Sequence, residues 1–227
     1  MEFRPKGSSI LYRALAWSLE GKALLFGFNF LKGVFIAKDD EPDDHLQVIR
    51  AAPNTRPVGL NNTDSQVLFS VCIKPLTRML PAFIQKAQTG FVPSRNFGVD
   101  ALELDTEARI TSMQPEARSR SPFLASFDYG QAFPSMSQFW IFLVLGQLNL
   151  PGPLLCFLKM IYSQVFCFGQ TGDALFYMYL IQSGIAQGCP ASGILYAIAS
   201  HPFAAHLHDL IEARKLGIYR LCADDAG

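Results

Sequence analysis

Apolar residues run along this chain in short stretches, and the spacing within each stretch predicts an element. Residues 1–22 read as an amphipathic lead-in, and Leu24 to Ala37, apolar with Lys32 inside it, predicts one or two strands ending at the acidic turn Asp39–Asp44. Asn61 to Asp64 offers several N-cap residues ahead of Val67, Leu68, Val71 and Cys72, which fall at helical spacing; Pro75 is expected to kink or end that helix. Gln88 to Arg95, with Gly90 and Pro93, predicts a turn between helices. Pro122 to Asp128 reads as a short buried strand with an acid at its end. Ser135 to Leu150, closed by Pro151, and Leu154 to Tyr162 predict two helices. Gln164–Phe168 and Ala174–Leu180, separated by Gly169 to Asp173, predict a hairpin. A helix over Ala191–Lys215 and a strand over Ile218–Cys222 lead into the acidic turn Ala223-Asp224-Asp225-Ala226. Helices first, then strand, helices, hairpin, helix and strand predict an α+β fold with no internal repeat.

Composition narrows the function only modestly. With 227 residues, half of them hydrophobic, the chain can bury a sizeable core. Nineteen basic and nineteen acidic residues cancel, so any nucleic-acid groove has to come from charge distribution rather than net charge. The cysteines, Cys72, Cys156, Cys167, Cys189 and Cys222, form no CxxC pair, and the N-terminus has no secretory pattern, which predicts an intracellular protein, cytoplasmic and/or nuclear. The uncharged stretches Phe139–Leu158 and Ala174–Ala205 are interrupted by Gly, Pro, Asn and Gln, so no membrane span is expected. His201, His206 and His208 do not share one helical face and are expected to pack and solvate rather than bind metal.

Phosphoryl transfer by two divalent ions needs hard carboxylate ligands on rigid backbone, about 4 Å between ions. Asp128 ends one predicted strand, Asp224-Asp225 follow another, and pairing of the two strands could bring the acids together.

Five segments in order sharpen that reading. Phe127-Asp-Tyr-Gly-Gln-Ala-Phe133 resembles the first catalytic block of reverse transcriptases, Gln187-Gly-Cys-Pro-Ala-Ser192 the block that follows, and Cys222-Ala-Asp-Asp225 their aromatic-Ala-Asp-Asp box. Upstream, Arg56-Pro-Val-Gly-Leu60 and Gln88-Thr-Gly-Phe-Val-Pro-Ser-Arg95 resemble the two fingers blocks of non-LTR (LINE-type) retrotransposon and group II intron enzymes. The resemblance implies a right-hand polymerase fold of fingers and palm, its antiparallel palm sheet packed on helices. It divides the chain into a lead-in over 1–30, a fingers-like region over 31–120 and a palm-like region with inserted fingers elements over 121–227. The helical thumb that follows the box in the family has no counterpart before Gly227 and is expected to be absent.

The same resemblance implies an RNA-directed DNA polymerase, acting on an RNA template, a DNA primer and dNTPs with two Mg2+ ions, or Mn2+ in their place. Asp128, Asp224 and the backbone carbonyl of Tyr129 correspond to metal ligands, with Asp225 their less direct neighbour in catalysis. Phe133 corresponds to the aromatic under the sugar, where a rigid ring leaves no room for a 2′-hydroxyl. Gln187 and Gly188 correspond to the loop beneath the incoming nucleotide, Lys38 and Arg56 to the cations that grip its triphosphate, and Arg95 to a template-backbone contact.

The chain departs from the family at Pro134, where an acid is usual, and at Cys222, where an aromatic is usual. A degenerate retroelement remnant without activity is the alternative of a different class. An RNA-directed RNA polymerase is disfavoured because Phe133 stands where that enzyme would place an acid. The 227-residue chain by itself is expected to show little or no primer extension with magnesium, because zero formal net charge gives little counterion-release binding of a primer-template. Extension by the purified chain, compared with Asp224→Ala across a salt series, checks this.

Overall fold

The computed structural model describes residues 5–22, 27–42, 44–45, 48–114, 124–222 and 225–226, with the side chains of 5–8, 52, 128, 225 and 226 left aside. The Arg118–Ser121 patch and Asp224 lie outside the described residues.

Helices dominate the first core. The run from Thr63 forms helix α2, Thr63–Phe83, whose start is capped by the Asn62 side chain accepting from the Ser65 amide at 2.9 Å. The inward face is Leu68, Phe69, Ile73, Leu76 and Leu80, whereas Val67 and Val71 are exposed, so the apolar stripe lies about one position round from the expected one. Pro75 neither ends nor interrupts the helix, and Pro81 also lies inside it. A proline removes one N–H, but the buried stripe continues past both, and its burial outweighs that loss.

Helix α1, Pro5–Leu19, precedes this core, and Phe97–Met113 forms α3. Ala132–Ser135 is the short α4, Gln138–Gln147 is α5, Gly152–Ile161 is α6 and Ser192–Arg214 is α7. α2, α5, α6 and α7 meet in one cluster around Phe69, Leu80, Leu145, Phe157, Leu195 and Ile198. Phe69 and Phe157 meet edge to face at 5.8 Å. Residues 194–199 of α7 are buried on every side, so that half carries no amphipathic stripe. The Trp140 indole N–H donates to the Ala199 carbonyl at 2.8 Å, tying α5 to α7.

Two sheets flank the helices. β1, Leu31–Ala37, pairs antiparallel with β2, Thr55–Asn61, and parallel with β4, Phe166–Thr171, which forms a hairpin with β5, Ala174–Leu180. The order β2-β1-β4-β5 joins segments more than a hundred residues apart, and the fold is α+β. β2 was not expected as a strand; Pro57 and Gly59 mask its pattern. The hairpin turn is Gly172-Asp173, shorter than expected, because Gly169 to Thr171 join the ladder.

The second sheet is small: β3, Phe127–Asp128, β7, Asp225–Ala226, and β6, Leu221–Cys222, in the order β3-β7-β6. Two expectations change here. The segment before Asp128 is not a buried strand: Leu124 and Phe127 are 69% and 63% exposed, and the ladder is only as long as its two-residue partner. Asp225 belongs to a strand rather than a turn.

The loop after β1 is held by Arg50, whose guanidinium donates to both Asp44 carboxylate oxygens at 2.7 and 2.6 Å and holds that carboxyl below its usual range. Among the described residues no helix is long and apolar enough to cross a membrane. Leu80, fully buried at the centre of the α2 stripe, gives a direct test of this core: Leu80→Ala is expected to cost about 2–5 kcal/mol, measured by urea unfolding.

Candidate nucleotide site

Three of the residues singled out by sequence line one cleft. Phe133, Gln187 and Gly188 surround a space of about 410 Å³ together with Phe91, Cys189, Pro190 and the first turn of α7. The Phe133 ring stacks on Tyr196 of α7 at 4.8 Å and 22°, and meets Phe91 edge to face at 5.7 Å. It is half-buried, so one ring serves both core and cleft wall.

Phe91 is the wall residue that sequence reasoning did not single out, although it sits inside the Gln88–Arg95 block. It is 49% exposed and holds φ +62°, a left-handed conformation that costs a bulky residue of order 1–3 kcal/mol. Its ring fills the space over Gly193, where a Cβ would lie 2.3 Å from the ring. A large ring beside a glycine was the signal available.

The Gln187–Gly188 loop is docked on β2. The Gly59 amide donates to the Gln187 carbonyl at 2.8 Å, and Gly188, at φ +101°, lies so close that a Cβ there would be 2.3 Å from the Gly59 carbonyl oxygen. The same Cβ would meet Val58 at 3.6 Å. Strand alternation puts Arg56 on the Val58 side of β2, and Arg56 is exposed. Lys38 lies just past β1, where its ammonium donates to the Pro53 carbonyl at 2.7 Å.

The acids are described through the backbone. Asp128 of β3 stands opposite Asp225 of β7, and Cys222 of β6 stands opposite Asp225 on the other side. Antiparallel pairing thus puts the start of the first block beside Asp225, the last residue of the acidic box. Tyr129, which follows, is 42% exposed, and its ring meets Phe203 of α7 at 6.2 Å.

Arg95 is used by the chain itself rather than held out toward a template. Its Nη1 donates to the Gln85 and Gln88 carbonyls at 2.6 Å each, and its Nη2 to those of Ile84 and Pro81 at 2.9 and 3.3 Å. Four of five N–H groups are engaged, two on the Pro81 and Ile84 carbonyls at the end of α2 and two on the loop that follows it. Burial also lowers its pKa.

Cys189 lines the cleft, but burial pushes its thiol up to about 11, so no thiolate nucleophile faces it at neutral pH. His201 accepts from the Gln85 amide at 3.1 Å through Nδ1. Among the described residues no three His, Cys, Asp or Glu side chains form a metal-holding group.

Comparison with known proteins bears on the fold. No family profile matches the sequence. The chain is 27% identical over 157 residues, 68% of its length, to the transposon TX1 uncharacterized 149 kDa protein of Xenopus laevis, and spans 12% of that protein. Its fold is similar to that of apo telomerase from Candida tropicalis truncated from its C-terminal domain, with TM-score 0.56, 9% identity, and coverage of 96% of this chain and 48% of that one. The Candida tropicalis telomerase in complex with a fragment of telomeric RNA gives 0.57 at 9% identity over 97% and 39% of the two chains, and the Candida albicans complex gives 0.53 at 11% over 99% and 42%. This chain therefore spans less than half of each of these solved chains. The similarity to a transposon protein and the telomerase-like fold support the reverse-transcriptase resemblance carried by the ordered sequence blocks.

Proposed function

We propose that this domain is the nucleotide-binding and catalytic part of an RNA-directed DNA polymerase, which adds a dNTP to the 3′-hydroxyl of a DNA primer on an RNA template. The observation that carries the proposal is the antiparallel register of Asp128 with Asp225, a pairing of two acids 97 positions apart beside the cleft-forming segment that starts at Ala132. A structural role alone gives no reason for acids at both places, since carboxylates on neighbouring strands repel one another.

The donor set suits divalent ions: hard oxygens of Asp128, Asp224 and the Tyr129 carbonyl would hold two Mg2+, or Mn2+, with Asp225 beside them. When bound, such ions neutralise triphosphate charge and acidify a hydroxyl. The chain's own residues provide position. Phe133 and Gly188 shape the cleft so that the sugar and base of a dNTP lie against a flat ring and bare backbone, and the Gln187 amide offers hydrogen bonds to them. Arg56, on the Val58 side of β2, supplies positive charge toward the triphosphate, with Lys38 a second cation at the same end of the β1–β2 pair. The primer hydroxyl then attacks the α-phosphate in line and pyrophosphate leaves, with no covalent intermediate on the protein.

Two measurements test this in an intact polymerase that contains the domain. Asp128→Asn should reduce primer extension by at least about a hundredfold while leaving the melting temperature near wild type. Phe133→Ala should raise ribonucleotide relative to deoxyribonucleotide incorporation on one primer-template; an unchanged ratio would assign Phe133 to the core alone.

A further inference from the structure

The segment that leads into β6 is held from three sides. The Tyr219 hydroxyl donates to the Ala204 carbonyl of α7 in the second, smaller core, where Tyr219 and Leu221 are buried with Ala87 and Ala204. The Leu221 amide donates to the Ala87 carbonyl at 2.8 Å, and its carbonyl accepts from the Thr89 amide at 2.8 Å and the Thr89 hydroxyl at 3.1 Å. Between these, Arg220 points the other way, toward α3.

There its Nε donates to Glu103 Oε2 at 2.9 Å and its Nη2 to the same oxygen, while Asp100 Oδ1 lies 3.6 Å from Nε. Nη1 donates to the Tyr219 carbonyl at 2.7 Å. Asp100 is 6% exposed, and its Oδ2 has no hydrogen-bond partner. A buried carboxylate with one unsatisfied oxygen depends on nearby cations; Arg220 stands beside it, and Arg95 is also close enough to feel its charge. Asp100 is also the buried residue of α3, and this polar contact ties the helix to the segment before β6.

Position along the chain makes the contact consequential. Arg220 is followed at once by β6, and β6 pairs with β7, whose Asp225 faces Asp128. A two-residue strand pair has too few ladder bonds to fix its own placement. We propose that Arg220, clamped by Asp100 and Glu103, is the positioning residue that sets where the acidic hairpin sits against β3, and thereby how well its carboxylates bind divalent ions. The ion-binding half rests on the function proposed above; the hairpin-placing half does not.

The test uses the 227-residue chain with Arg220→Gln, Arg220→Lys, Glu103→Gln and, as the control for the metal reading, Asp128→Asn. Mn2+ affinity is read from the free-ion electron paramagnetic resonance signal, and hairpin placement from amide hydrogen exchange at Cys222 and Ala226 without metal. Arg220→Gln should weaken Mn2+ binding about tenfold, the size usual for groups that orient metal ligands, with Arg220→Lys nearer wild type because a charge still reaches Glu103. Exchange at the two hairpin amides should quicken about tenfold while Leu195 and Ile198 in α7 keep their protection. Glu103→Gln, a change at a half-exposed carboxylate, should move both readouts the same way without unfolding the chain even if Arg220→Gln does unfold it. Unchanged hairpin exchange in Glu103→Gln and in a folded Arg220→Gln overturns the clamp. Equal Mn2+ binding by wild type and Asp128→Asn, or none by wild type, overturns the metal reading and the clamp's effect on ions, while exchange still decides hairpin placement.

Discussion

The cleft depends on one backbone hydrogen bond between distant segments: the Gly59 amide on β2 donating to the Gln187 carbonyl ahead of α7. It forms only because Gly188 has no side chain, since a Cβ there would lie 2.3 Å from the Gly59 carbonyl oxygen. Through it the four-stranded sheet is fastened to the loop that floors the cleft. The exposed cation on β2, Arg56, is thereby carried on the strand face that meets that loop.

The helical core sets the opposite wall. α7 is buried along its first half, so its position is not adjustable, and Tyr196 on it fixes the plane of the Phe133 ring. Phe91 closes the cleft at a backbone conformation that its residue type disfavours, held there because its ring fills the gap over Gly193. Well-packed walls and a strained lip make a pre-shaped space, which is what the proposed polymerase would need if the order of the site is to lower the barrier without a protein nucleophile.

The acidic sheet is built on different terms. Its strands are two residues long and are held by what flanks them: Tyr219 to α7, Arg220 to α3, Leu221 to the loop after α2. Arg95 anchors that loop by closing off the end of α2, so a residue expected to face a template instead stiffens the frame behind the acids. Exposed charge and buried clamp cannot be told apart from an arginine's identity, because the same fork fits phosphate and carbonyl oxygens alike.

Much of this was readable before any coordinates. The ordered blocks around Asp128, Gln187 and Cys222-Ala-Asp-Asp225 carried the resemblance to reverse transcriptases, and helical spacing marked α2, α6 and α7, because both depend on neighbours close in sequence. The strand at Thr55–Asn61 was not readable, since Pro57 and Gly59 weaken a local strand signal and only β1 beside it makes a strand there. Nor could Pro75 be known to sit harmlessly inside α2, as the burial that carries the helix past it comes from α6 and α7. The role of Arg95, the wall formed by Phe91 and the clamp on Arg220 each join residues from different elements. Sequence by itself determined the chemistry available and the local elements, whose energies are set within a few residues; only tertiary structure decided which of those groups meet, because that depends on burial and pairing between distant parts of the chain.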